Sequence, residues 1–356
     1  MATTPGEDSF AGCLLAAGDA YRTIEWLAYH YHALPLRRLI VLFRPPSTTA
    51  PRPILARWEK YIKIDVWTDE DVFPVEELDH RADEDHVRKR AFDTKCMQAL
   101  KDEGARWALL TDANDYLYIH PTHQRSQNQL SKISVEEPGS VLKLLGRMGR
   151  LDGARARDRQ ACLPVSLLHF GGIESLPEEV ERLFPASLAP ALRARDFDTF
   201  RWRHYAVDGR ASREGVAPDT RVLDLTVLPH EGRNKTDEHL CSRDGSESTD
   251  TVLVARRMLG TRQQYAARDD ALVRRSLHWA RRKNVGGSTS DEVRPWVAGF
   301  VEHVGVDEAR RLLADVGRVP VASKALHPEA AHLAPCAIHF FGPLKSFKVR
   351  TLVQIR

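Results

Sequence analysis

The chain has 356 residues, 42% of them apolar and 28% charged, enough to bury a sizeable core in one large domain or two ordinary ones. Fifty-two Lys and Arg against 49 Asp and Glu leave a formal charge of +3, too even a balance to indicate nucleic acid. Five scattered cysteines without a C-x-x-C give no support to a zinc ribbon or dithiol redox motif, and no apolar run approaches a membrane span.

MATTPGEDSF lacks the basic start and apolar core of a signal peptide, so the chain as given reads as soluble. Phe10–Ala16 (FAGCLLA) is apolar and predicts a first strand. From Tyr21 to Leu34 the spacing turns helical, with Ile24, Leu27, Tyr31 and Leu34 on one apolar face. His30 and His32 lie about 200° apart on that helix, too divergent to share a metal. Pro35 closes the helix, Leu39–Phe43 (LIVLF) is a buried strand, and Arg44-Pro45-Pro46-Ser47 is its turn-rich exit. Ile54–Tyr61 predicts a short helix, Ile62–Trp67 a strand and Thr68–Asp85 a surface loop. His86–Asp102 predicts a long helix, which Gly104 is placed to end.

Trp107–Leu110 is then a short apolar run, followed by Asp112, Asn114 and Asp115 and a second apolar piece, Tyr116–Ile119. Oxygen ligands clustered at a strand end suit a hard divalent cation, although Asp and Asn also serve simply as turn formers. The first 120 residues thus alternate strand and helix, which predicts an α/β fold: a mostly parallel, Rossmann-type nucleotide-binding sheet with its ligand crevice at the strand ends. A dinucleotide G-x-G-x-x-G, a P-loop, a G-x-S-x-G and an H-E-x-x-H are all absent.

Residues 121–160 are polar and basic and read as a loop; Cys162–Phe170, Thr199–Tyr205 and Arg221–Leu228 read as strands. Residues 176–195 are broken by prolines, and Arg233–Thr251 reads as a polar loop. The Arg-rich segment Arg268–Asn284 reads as a solvated helix with Leu272, Leu277 and Trp279 inward. Ser290 or Asp291 can cap a helix running to His303 and stopped by Gly305. Asp307 can cap the next, which ends at Gly317.

Several of these pieces together resemble a known family. They are Ile24–His32 (IEWLAYHYH), Leu34-Pro35-Leu36-Arg37, Thr111-Asp112-Ala113-Asn114-Asp115-Tyr116, Phe170-Gly171-Gly172-Ile173-Glu174 and Asp198-Thr199-Phe200-Arg201-Trp202. Leu259-Gly260-Thr261, Gln264-Tyr265, Arg268-Asp269-Asp270-Ala271 and Arg294-Pro295-Trp296 continue the series. In this order, over roughly residues 10–318, they resemble glycosyltransferase family 92, in particular its microalgal branch.

The resemblance implies a GT-A-like domain over 10–265, a helical extension over 266–320 and a stub over 330–356. It also implies a UDP-linked sugar as donor, a glycan or glycoprotein acceptor, manganese, and a Golgi or secretory location. Asp112, Asn114 and Asp115 would hold the metal; Arg44, Ser47, Asp112 and Arg257 would contact the nucleotide; Glu174 and Asp270 are the candidate catalytic bases. Three departures stand out. Asn114 replaces a carboxylate, Arg44 stands where an Asp is expected, and Arg257 stands in place of a histidine. The chain is then either a transferase that leans on arginine rather than metal, or a catalytically silent relative that binds nucleotide or glycan. His339 in HFFGPLKSF is either a late metal ligand or part of the opening strand (Cys336–Phe341) of a further domain.

Overall fold

The computed structural model describes residues 10–16, 22–43, 52–73, 85–113, 115–119, 134–151, 162–163, 166–189, 191–207, 220–226, 253–257 and 293–318. The amino-terminal half alternates as expected. It runs β1 (Phe10–Ala16), α1 (Thr23–Ala33), β2 (Leu36–Phe43), α2 (Arg52–Ala56), β3 (Lys63–Trp67), α3 (Asp69–Val72), α4 (Asp85–Asp102) and β4 (Trp107–Asp112). After the acidic turn come β5 (Asp115–Ile119), α5 (Ser140–Leu151), β6 (Cys162–Leu163), β7 (Ser166–Glu174) and α6 (Pro177–Leu183). Then follow α7 (Asp198–Arg201), β8 (Trp202–Val207), β9 (Arg221–Asp224), β10 (Leu253–Arg257), α8 (Trp296–Val304) and α9 (Val306–Leu312).

A mixed α/β fold results. One sheet has the order β3-β2-β1-β4-β9-β6. Its first four strands are parallel, while β9 runs antiparallel to β4 and β6 antiparallel to β9. The Trp107–Asp112 strand is therefore central, in one parallel sheet with residues 10–16 and 39–43, as the alternating pattern predicts. A second sheet, β5-β10-β7-β8, is built on the strand that follows the acidic turn.

Side-chain alternation divides the core across the first sheet. Phe10, Leu14, Leu39, Val41, Trp107 and Leu109 face α1, and the same cluster holds Trp296, Val297 and Phe300 of α8. The helices expected as an extension thus share the main core. Ala11, Cys13, Leu15, Ile40, Leu42, Ala108 and Leu110 face α4, with Phe92, Cys96 and Met97. A disulfide joins Cys13 of β1 to Cys96 of α4, with Cα atoms 6.0 Å apart. At the end of α4, Gly104 (φ +80°) lets its own N–H reach Lys101 O while Ala105 N–H reaches Leu100 O. This pair of bonds satisfies two carbonyls that the helix end would leave open.

Several local expectations change, among them the loop expected over Thr68–Asp85, which holds α3. Helix α1 does not present one apolar face: every residue from Thr23 to Ala33 is buried, because Trp26, Ala28, Tyr29 and Ala33 fill the rest of its circumference. The segment read as a loop contains α5, whose Val141, Leu144 and Leu145 stripe is masked in sequence by polar neighbours. Cys162–Phe170 is two strands in different sheets, parted around Pro164, which cannot donate to a ladder.

Another change is at Thr199–Tyr205, which begins as the turn α7, with its strand starting at Trp202. The Glu25 carboxylate accepts the N–H groups of Asp198 and Thr199, as an N-cap does, so a distant residue decides this local structure. Strand β9 is shorter than expected, since the Asp224 carboxylate turns back onto the N–H and hydroxyl of Thr226. Helix α8 starts after Pro295, and α9 at Val306 after Gly305 (φ +87°). Gly299 of α8 is held by close approach: a Cβ there would lie 1.9 Å from Glu136 O. Residues 268–284, 233–251 and 330–356 lie outside the described residues, and no described helix is long and apolar enough to cross a membrane.

Candidate functional site at the carboxyl end of the central strand

Parallel strands end together here. Ala16 pairs with Phe43 and Leu15 with Asp112, so Asp112 sits at the carboxyl edge of β4, between β1 and β9. Arg44 follows Phe43 directly in the chain. Its own placement, like those of Ser47, Asn114, Asp270 and His339, lies outside the described residues.

Strand alternation puts Asp112 on the α4 side, with Leu15 and Leu110. Arg221 stands opposite Leu110 across the ladder, and its side chain reaches Asp93 of α4 at 2.9 Å. Lys89, one helical turn earlier, is 3.5 Å from the same carboxylate. Two cations and one buried anion therefore adjoin the site on this face. Sequence reasoning missed all three, because they come from the middle of a helix and the first residue of a short strand.

Asp115 takes the other direction. It is 1% exposed, and its carboxylate accepts the Thr220 hydroxyl while its carbonyl accepts the Trp26 indole N–H at 3.0 Å. Thr220 and Trp26 thus hold the Asp115 side chain and backbone, while strand alternation assigns Asp112 to the α4 side. Among the described residues, no three His, Cys, Asp or Glu side chains are grouped so as to hold a metal ion. Arg257 is the cross-strand neighbour of Asp115 and lies beside His169. Glu174 ends β7 opposite Trp202, roughly 15 Å further along that strand at the usual rise per residue.

Side chains of α1 frame the chain after the acidic turn. Besides Trp26, Tyr29 donates its hydroxyl to Leu117 O at 2.8 Å. His30 holds Trp26 O with Nδ1 at 2.9 Å and faces the N–H of Leu117 with Nε2 at 3.4 Å. His32 Nε2 lies 3.0 Å from both Val135 O and Glu136 O. His30, donating through Nδ1 and accepting at Nε2, is held as the neutral Nδ1–H tautomer, while His32 donates through Nε2.

Glu25 joins the frame to α7. Its carboxylate accepts Asp198 N–H at 2.7 Å, Thr199 N–H at 3.0 Å and the Thr199 hydroxyl at 2.6 Å, while Arg22 pairs with Asp198 at 3.1 Å. Burial, then the Asp198 charge, push the Glu25 carboxyl up to about 8 against the pull of its three donors. Burial lowers His30 to about 3, and burial with His303 nearby lowers His32 to about 4.

Opposite pH dependences follow. The histidines, depressed in the fold from 6.5, contribute stability that is present above pH 6.5 and lost as pH falls toward 4 and 3. Glu25, raised from 4.5, contributes stability present below pH 4.5 and lost as pH rises through 8. Denaturation midpoints measured from pH 4 to 9 should therefore fall at both ends. The Glu25→Gln variant, weaker overall, should lose the decline between pH 6.5 and 8, above the range of the histidines; an unchanged decline there would assign it to another group.

A scan against protein-family models and a search of curated proteins each find nothing that matches this chain.

Proposed function

We propose that the chain is a glycosyltransferase, resembling family 92 with a GT-A-like fold, that moves a sugar from a nucleotide sugar (a UDP-linked hexose) to a glycan hydroxyl. One observation carries the reading: Asp112 lies at the carboxyl edge of the central strand of a parallel sheet, where α/β folds bind their ligands. Arg44, which follows β2 in the chain, and Arg257, whose backbone pairs with Asp115, would meet the diphosphate, onto which a guanidinium forks well.

In an inverting transfer the acceptor oxygen attacks the anomeric carbon. The bond to the diphosphate breaks as a carboxylate takes the acceptor proton. Glu174, at the end of β7, and Asp270 are the candidates for that base. Positive side chains facing the diphosphate stabilise the charge that gathers on the leaving group. Manganese would share that task in the family, but the donor set here fits it poorly. Asn114 is neutral and the Asp115 carboxylate is committed to Thr220, so no step is routed through a metal. The Cys13–Cys96 disulfide suits the oxidising secretory pathway, in line with a Golgi location.

The same two features favour a second reading, a catalytically silent relative that keeps a nucleotide or glycan site. Calorimetry with uridine diphosphate, with and without manganese, separates the two. Asn114→Asp should strengthen manganese-dependent binding by on the order of 1–3 kcal/mol, the scale of a charge-assisted contact. Arg44→Ala and Arg257→Ala should weaken binding without metal. If wild type and all three variants ignore the nucleotide, the transferase reading fails.

A further inference from the structure

The consecutive residues Thr220 and Arg221 straddle the acidic turn. Arg221 stands opposite Leu110, on the face that carries Asp112, and is anchored by Asp93. Thr220, 5% exposed, reaches Asp115 on the other face. The backbone on either side of the turn is also fixed. Before it, β4 is paired with β1 through Asp112. After it, the carbonyl of Asp115 is held by Trp26, and both backbone groups of Leu117 meet Tyr29 and His30. The acidic turn is therefore strung between two clamped ends, and the Asp115 side chain is part of the second clamp.

We infer that Thr220 is a positioning residue of the nucleotide-diphosphate site, acting through Asp115, and that Asp115 is an anchor of the turn and not a ligand to a bound cation. This rests on the donor-site reading above. A carboxylate that accepts a buried hydroxyl keeps its geometry only while that hydroxyl is there, and a misplaced turn costs affinity at Asp112 without removing any atom that touches the ligand. The hydroxyl of Thr220 is then the working group, and its methyl is packing.

The test compares wild type with Thr220→Val, Thr220→Ser and Asp112→Asn. Uridine diphosphate binding is measured by calorimetry with and without manganese, and amide exchange over residues 111–117 is measured without ligand. Thr220→Val, which keeps the size and loses the hydroxyl, should raise Kd about tenfold and speed exchange across the turn. Thr220→Ser, which restores the hydroxyl, should bring both back to within about twofold of wild type. Manganese should change binding by the same factor, large or none, in Thr220→Val as in wild type, since no cation ligand is lost.

Wild-type affinity in Thr220→Val, beside lost affinity in Asp112→Asn, would overturn the positioning role and leave the donor site standing. Equal weakness in Thr220→Ser and Thr220→Val would overturn it too, by assigning the effect to packing. If wild type binds no nucleotide, the donor-site reading and the role built on it both fail, whatever the exchange shows.

Discussion

Replacing Arg22 by Met should cost about 3–5 kcal/mol of folding stability, the range for breaking a buried ion pair from one side. Arg22 and Asp198 are 3.1 Å apart, with side chains only 3% and 5% exposed. Glu25, buried nearby, already feels the Asp198 charge. Two carboxylates and one guanidinium share this dry site, and the Tyr116 hydroxyl beside them is pushed well above its usual range by burial and by both carboxylates. Without the cation, the carboxylates can stay folded only by taking up protons. The double variant Arg22→Met/Asp198→Asn should recover much of the loss, because an amide carries no charge into the interior. Urea titrations at pH 7 decide the matter: a loss under about 1 kcal/mol in the single variant would mean that the pair is not the keystone of this joint.

Reducing the Cys13–Cys96 bond should have an effect of similar size. The cysteines are 83 positions apart, and closing a loop of that length stabilises a fold by about 4–5 kcal/mol on the chain-entropy account. Both are fully buried, so Cys13→Ala/Cys96→Ala is a better surrogate than serine, which would bury two hydroxyls. The denaturant midpoint of the reduced protein, with free thiols counted after unfolding, should match that of the double variant and lie well below that of the oxidised protein. Equal midpoints before and after complete reduction would rule the estimate out.

The regular alternation of the first 120 residues made the parallel sheet and the place of Asp112 legible before any coordinates, because strand period and helix period are local properties. What escaped the sequence was set by distant partners. Nothing near Thr199 says that Glu25 will cap it, yet that bond turns an expected strand into a helical turn. Nor does anything near Asp115 announce that its carboxylate will accept the hydroxyl of Thr220, 105 positions away. Cys13 and Cys96 could not be paired by spacing alone. Glu25, Trp26, His30 and His32 lie in the IEWLAYHYH stretch, and the structure gives each of them a buried polar partner. Their chemistry, though, is that of buried polar groups holding other segments' backbone, which no motif announces.

The complete burial of α1 has a consequence for how the protein is made. The helix leaves the ribosome well before its polar partners, for Leu117 follows Tyr29 by 88 residues and Thr199 follows Glu25 by 174. At ordinary translation speeds of roughly 5–20 residues per second, Glu25 waits on the order of ten to thirty-five seconds for its partner to be polymerised. The strands β1, β2 and β4 can cover one side of the helix during that delay, but the side that meets α7 and α8 stays open. That helix is the stretch of the nascent chain that a holding chaperone would grip first, and the one from which aggregation would spread if none did.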